Sequence, residues 1–319
     1  MKDSFGREIE YMRVSVTDRC NLRCVYCMPK GVKTIPAREI LTFEEIRDIC
    51  SAAASLGIKY IRLTGGEPLV RLGVERLAEM IKAVDGIEGL TLTTNGVLLE
   101  EKLPGLVRAG LDGVNISLDT LDRELFRRIT GFDRLDDVKK GIKAALDSGV
   151  KVKLNTVIME ENRDCLTRLA ELAKDEPLDV RFIEMMPIGE GQRYGSISGE
   201  GVFSELEEKY GRLEPCFDRI GSGPARYYSI DGFEGRVGFI NAVHGAFCGS
   251  CNRIRLTYAG FLKTCLCYED GADLKAAVRR GDLGEVRRLM AEAVKNKPKA
   301  HHFALGPAEG EGGMNRIGG

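Results

Sequence analysis

The stretch Arg13–Pro29, RVSVTDRCNLRCVYCMP, decides how this chain is read. Arg13, Ser15 and Thr17 alternate with Val14 and Val16, the period-two pattern of a strand with one polar and one apolar face. The strand runs directly into Cys20, Cys24 and Cys27, spaced C-x3-C-x2-C. Three soft thiolates from one short loop suit a four-iron cluster that keeps one iron open. A structural zinc site closes its tetrahedron with four protein ligands, and no histidine lies near this loop. Cysteines that are merely buried are the alternative at this point.

Working outward, the same alternation returns. Short β-rich runs begin near Arg13, Lys59, Leu90, Gly113, Lys151 and Asp179 with helical patterns between them, as in repeated βα units. Thr42 and Glu45 predict a capping box for a helix running to about Leu56, and Val74, Leu77, Met80, Ile81 and Val84 recur at helical spacing. Arg62 and Thr64 alternate with Ile61 and Leu63; Thr91, Thr93 and Asn95 with Leu92; Asn115, Ser117 and Asp119 with Ile116 and Leu118; Lys151, Lys153 and Asn155 with Val152 and Leu154. Parallel strands covered by helices on both faces read as continuous apolar runs, so a polar face shared by five strands is unusual. A closed eight-stranded barrel fills its interior with branched apolar side chains. The polar interior therefore predicts an open, partial (β/α)6 TIM-type barrel around a polar ligand. An antiparallel sheet with one wet face is the competing reading, and the long helical crossovers weigh against it. In the sixth strand, DVRFIEMM, the alternation is ambiguous and Arg181 receives no facing.

After Pro187 the pattern changes to a Gly-rich segment, a helix near Val202–Tyr210, short alternating runs between Arg226 and Val243, and two charged helices between Asp273 and Lys295 separated by Gly281. This predicts a barrel over residues 1–187 and a smaller extension over 188–319, ending in a flexible GPAEGEGGMNRIGG. Lys and Arg total 47 against 48 Asp and Glu, so there is no overall basic field for a polynucleotide and any anion must meet a local pocket. Ten cysteines are too dilute over 319 residues for a secreted disulfide scaffold and point to metal binding in a reducing compartment. With a charged N-terminus, no apolar leader and no eighteen-residue apolar run, the expectation is a cytoplasmic protein that does not enter the membrane.

Three further features carry chemistry. Thr64-Gly65-Gly66-Glu67-Pro68 follows the second strand, where glycines allow close approach to the backbone and Glu67 can meet an ammonium group. Cys248, Cys251 and Cys265 form a second triplet, C-x2-C-x13-C. Cys267 would share a face with Cys265 in a regular strand, which keeps a closed four-cysteine zinc site open as a reading. Arg253 and Arg255 follow the triplet and suit an anionic or purine ligand, although surface arginines are commonly just solvated. Cys50 and Cys165 read as core residues, His301 and His302 as solvated or capping residues, and Cys216 and His244 stay unplaced.

On these residues, together with TTNG, SLDTL, RFIEMMP, CGSCNRIRL and the terminal Gly318-Gly319, the chain resembles the radical S-adenosylmethionine enzymes. In particular it is similar to the GTP 3′,8-cyclases (MoaA) of molybdenum cofactor biosynthesis, over essentially its whole length. The resemblance implies two 4Fe-4S clusters, held by Cys20, Cys24 and Cys27 and by Cys248, Cys251 and Cys265. It implies that S-adenosylmethionine meets Tyr26, Gly66, Glu67, Ser117 and Met186. GTP is expected at Arg13, Arg62, Thr93, Lys153, Arg253 and Arg255, with the two C-terminal arginines also counted among the catalytic residues. The implied reaction is cyclisation of GTP to 3′,8-cyclo-7,8-dihydro-GTP, a lyase reaction started by hydrogen abstraction at C3′. An electron donor is required, and a downstream cyclic pyranopterin monophosphate synthase and a homodimer are compatible partners. Cys267 departs from the family pattern, in which an apolar residue is more usual. Two other readings stand beside the cyclase: a peptide-modifying radical enzyme with an auxiliary cluster, and a non-enzymatic zinc or iron–sulfur protein.

Overall fold

The structure is a computed structural model that describes residues 1–28, 31, 34–195, 197–217, 220–245, 247–303, 306, 308 and 314. The six predicted strands form as β1 (Tyr11–Ser15), β2 (Tyr60–Thr64), β3 (Gly89–Thr94), β4 (Gly113–Ser117), β5 (Lys151–Ile158) and β6 (Leu178–Glu184). They pair in sequence order and every pairing is parallel, which removes the antiparallel reading. Helical crossovers cover the outer face. The helix Phe43–Ser55 opens on the predicted box: Thr42 Oγ1 accepts from Glu45 N at 3.1 Å, and Thr42 N donates to Glu45 Oε2 at 2.8 Å. It buries Ile46, Ile49 and Ala53, and the helix Val74–Lys82 buries Leu77, Ala78 and Ile81, in one core with Val14, Leu63, Leu92, Ile116 and Leu154. Each isoleucine or leucine enclosed there contributes about 1.5–3 kcal/mol.

Beyond β6 the chain forms β7 (Glu214–Cys216), β8 (Arg226–Ser229), β9 (Val237–Ile240), β10 (Arg253–Leu256), β11 (Phe261–Lys263) and β12 (Gly271–Asp273). These strands do not build a sheet of their own. The order is β12-β11-β10-β1-β2-β3-β4-β5-β6-β9-β8-β7, so the extension adds three strands to each edge of the barrel sheet. A partial barrel has two unpaired edges, each a row of free N–H and C=O groups, and the extension satisfies both. β10 runs parallel to β1 and β9 parallel to β6. The sheet ends at β7 and β12, which do not pair with each other, and remains open as the polar interior predicted.

Register turns the sequence alternation into rows of neighbours. Arg255 lies opposite Arg13, and Arg13 opposite Arg62. Further round, Thr93 is opposite Asn115 and Asn115 opposite Lys153, while Ser117 is opposite Asn155 and Asn155 opposite Arg181. With strands about 4.8 Å apart, three arginines of one row are direct neighbours.

Candidate active site

The cysteine loop after β1 is suspended from three places. Gly66 N donates to Thr17 O at 2.8 Å and Glu67 N to Arg19 O at 2.7 Å, tying the loop to the GGEP turn. A Cβ on Gly66 would stand 2.4 Å from Arg19 O and 2.9 Å from Asp18 O. The close approach that Gly66 permits is thus first of all that of the chain to itself. Asn95 supplies the second tie, donating to Asn21 Oδ1 at 2.7 Å and reaching Cys20 Sγ at 3.7 Å. The third is the end of the helix Arg123–Thr130, where Thr130 O and Ile129 O accept from Arg23 N and Val25 N. Cys27 N and Met28 N then both donate to Cys24 O at 3.0 Å, a tight turn, and Cys27 and Cys20 both act electrostatically on Cys24. Burial, followed by Cys27, Asp119 and Cys20, holds the Cys24 thiol well above its ordinary value, so deprotonation there calls for a cation.

Glu67 is enclosed and accepts three hydrogen bonds: Thr94 Oγ1 at 2.8 Å and Leu69 N at 3.0 Å on one oxygen, Asn95 N at 2.7 Å on the other. Burial nevertheless lifts its carboxyl to about 7. Thr94 is therefore spent on Glu67, whereas Thr93 Oγ1 is buried without a hydrogen-bond partner among the described residues. That difference selects Thr93 as the threonine offered to a ligand.

The second triplet is placed by β10. Cys248 opens a single turn in which Cys251 N donates to Cys248 O at 3.2 Å, and Arg253 and Arg255 enter the strand two and four residues later. Cys265 follows β11. Cys248 is in electrostatic contact with Cys265 and Cys251. The strand stops at Lys263, so the shared face expected for Cys265 and Cys267 does not exist. Cys267 is 0% exposed, packed in a small apolar cluster with Ile188 and Phe303, and is not on the cavity wall.

One cavity gathers almost every residue singled out in the sequence. Its wall includes both triplets, Tyr26, Gly66, Glu67, Ser117 and Met186, together with Arg13, Arg62, Thr93, Arg253 and Arg255. Lys153 is the exception. Its ammonium sits off the wall, bonded to Tyr227 Oη at 2.9 Å and paired with Asp179 at 3.3 Å. The Gly318-Gly319 end lies outside the described residues. Sequence reading missed Arg181, which lines the cavity, donates to Asn115 Oδ1 and is only 3% exposed. His301, read from the sequence as a solvated or capping residue, instead lines the cavity, and its backbone N–H donates to Cys248 Sγ at 3.4 Å. The alternation Asp179, Arg181, Ile183 was the available signal for Arg181, obscured because Glu184, on the opposite phase, also reaches the cavity. No local pattern marks His301.

The wall is strongly cationic. Burial, then the neighbouring Arg255, depresses Arg13 well below the ordinary guanidinium range, and burial and Arg253 bring Arg255 down to about 10. Guanidinium groups stay protonated in proteins, so these depressions express how much the row gains from an anion. The donor set also fits. Arg13 Nε, Thr93 Oγ1, Asn155 Oδ1 and Arg181 Nε are buried on this wall with no hydrogen-bond partner among the described residues, which suits a polar, anionic ligand. No three acidic, histidine or cysteine residues among those described converge to hold a single metal ion. A single zinc would need all its thiolates about 2.3 Å from one central point, whereas a cluster takes each thiolate on a different iron.

An open parallel barrel with a three-cysteine loop after its first strand defines a radical S-adenosylmethionine protein, and residues 14–173 match the Radical SAM superfamily model. Residues 178–303 match Molybdenum Cofactor Synthesis C. GTP 3′,8-cyclases of Clostridium perfringens strain 13 and Pelotomaculum thermopropionicum are 44% and 46% identical, each over 96% of this chain and 95% and 96% of theirs. That of Heliobacterium modesticaldum is 47% identical over 95% of both chains. The chain belongs to the GTP 3′,8-cyclase family. In three dimensions it is similar to Streptococcus suis SuiB bound to S-adenosylmethionine, with TM-score 0.65 and 13% identity over 91% of this chain and 68% of that one. Native anSMEcpe with bound AdoMet gives TM-score 0.60 and 15% identity over 92% and 82%. At such identities these two establish the shared fold alone.

Proposed function

We propose that this chain is the S-adenosylmethionine-dependent enzyme that cyclises GTP to 3′,8-cyclo-7,8-dihydro-GTP, an early step of molybdenum cofactor biosynthesis. The observation that carries the reading is the row Arg255–Arg13–Arg62 in the same cavity as two cysteine triplets. When bound, a cluster and S-adenosylmethionine supply the one-electron chemistry that removes hydrogen from an unactivated carbon.

Cys20, Cys24 and Cys27 would hold one 4Fe-4S cluster and Cys248, Cys251 and Cys265 the other. Tyr26, Gly66, Ser117 and Met186 would frame S-adenosylmethionine, with Glu67 beside its amino group and fixing Asn95 and Thr94. Arg13, Arg62, Arg253 and Arg255 would neutralise the triphosphate and orient the purine, with Thr93, and with Arg181 on the facing side. Lys153 would join them on exchanging Asp179 for phosphate. The residues divide into a barrel, 1–187, and an extension, 188–319, that completes it. An electron donor is needed, and the reading is compatible with a homodimer and with hand-over to a downstream synthase. No helix of the described residues is long and apolar enough to cross a membrane, and we place the reaction in the cytoplasm.

Anaerobic incubation of the iron-loaded protein with S-adenosylmethionine, GTP and a reductant tests the reading. It requires 5′-deoxyadenosine in an amount that depends on GTP; formation indifferent to GTP, or none at all, rejects it.

A further inference from the structure

Lys297 follows the helix Leu283–Lys295 and enters the cavity wall beside the second triplet. Only 3% of the residue is exposed. Its ammonium donates to the main-chain oxygen of Thr264, in the peptide bond that leads to Cys265. Among the described residues no carboxylate pairs with it. Arg7, another enclosed cation of this region, is different. It is matched by Asp3 at 2.5 Å and donates to the carbonyls of Cys248, Pro298 and Lys299.

An enclosed ammonium without a counter-charge is costly to fold around. The charged groups around it are the sulfurs of Cys251 and Cys265 and two further cations, Arg7 and Arg253.

We propose that Lys297 is the fixed counter-charge of the second triplet, a positioning residue that balances the cluster held by Cys248, Cys251 and Cys265 and sets its reduction potential. This rests on the reading that the second triplet binds a 4Fe-4S cluster. Cluster potentials respond to net charge and hydrogen bonding around the sulfurs. A positive charge locked to the Thr264 carbonyl stabilises the reduced, more negative state.

The test uses the full chain carrying both clusters, as wild type, Lys297→Met and Lys297→Arg, in redox titrations followed by electron paramagnetic resonance. The second cluster's signal is the one missing from Cys265→Ala. Lys297→Met is expected to move that midpoint to more negative potential and leave the first cluster's midpoint in place, with GTP affinity by equilibrium dialysis unchanged. Lys297→Arg is expected to restore the midpoint. If Lys297→Met fails to retain the second cluster, Lys297→Arg must retain it; equal loss in both variants makes Lys297 a packing residue and overturns the inference. An unshifted midpoint, with or without weaker GTP binding, overturns it as well. If the wild type lacks a signal that depends on Cys265, the cluster reading itself fails and the inference falls with it.

Discussion

The Tyr26 hydroxyl donates to Asp119 Oδ2 at 2.6 Å, joining the first cysteine loop to the end of β4 across 93 residues of sequence. Asp119 Oδ1 takes Val157 N at 2.9 Å, so one carboxylate braces the loop, β4 and β5 together. Tyr26→Phe leaves that buried carboxylate one donor short, at a cost of about 1–3 kcal/mol. The loss is expected in urea unfolding of the cluster-free chain, and an unchanged midpoint would show that the brace carries no weight.

Gly66→Ala is expected to be more damaging than its size suggests. The new methyl collides with main-chain atoms of Asp18 and Arg19, which cannot yield as a side-chain tip does, and Arg19 immediately precedes Cys20. Iron retained by the first triplet and binding of S-adenosylmethionine should fall together. Full loading of the variant would contradict this account of the glycine.

The arginine row should trade stability for binding. Arg13 is crowded by Arg255, Arg62 and Arg253. Arg13→Met replaces a buried cation by an apolar chain of similar length, and buried charges exchanged in this way have given gains of about 1–4 kcal/mol. We expect a higher melting temperature for the ligand-free variant with GTP binding weakened at least about tenfold, a loss of about 1.4 kcal/mol. A variant that melts lower and binds GTP as before would reverse the assignment.

Glu67 predicts a pH dependence with a definite sign. Its carboxyl sits at about 7 in the folded chain against an ordinary 4.5, so the folded state holds the proton more tightly. Stability then falls as pH rises from about 4.5 to about 7 and is level above, by about 3 kcal/mol for this group. Asp119, lifted by burial to about 6, adds a fall of the same sign at lower pH. Glu67→Gln should flatten the upper part of the profile in urea titrations of the cluster-free protein; a variant with the wild-type slope would mean that another group titrates.

Cys267→Ala separates the two readings of the C-terminal cysteines. Because Cys267 itself is off the cavity wall, packed with Ile188 and Phe303, the variant should keep about eight irons per chain, whereas Cys265→Ala should keep about four. Equal losses in the two would return Cys267 to the ligand set.

The barrel was legible because its polar face repeats with a period of two, and five strands carry the pattern without interruption. The same rule fell silent at β6, where Arg181 and Glu184 reach one cavity from opposite phases. Lys153 shows the complementary failure: its phase is right, yet Asp179 and Tyr227 hold its ammonium off the wall, and pairing across strands cannot be read from one strand. The cysteine triplets were visible as spacings, but the status of Cys267 depended on where β11 ends. Thr93 and Thr94 are neighbours of identical chemistry on opposite phases of β3, and the hydrogen bond from Thr94 to Glu67 shows which of the two hydroxyls is already engaged.

The pairing of β1 with β10 has a temporal consequence. A ribosome releases the first cysteine loop roughly ten seconds or more before β10, at ordinary elongation rates of about 5–20 residues per second. Through that interval one edge of the nascent sheet stays open to other chains, and contacts this distant in sequence close slowly. The last strands to emerge bring Arg253 and Arg255 with them. An interrupted chain therefore lacks both its finished edge and the groups that would engage a nucleotide, so premature termination leaves a product that is prone to aggregate and unable to turn over.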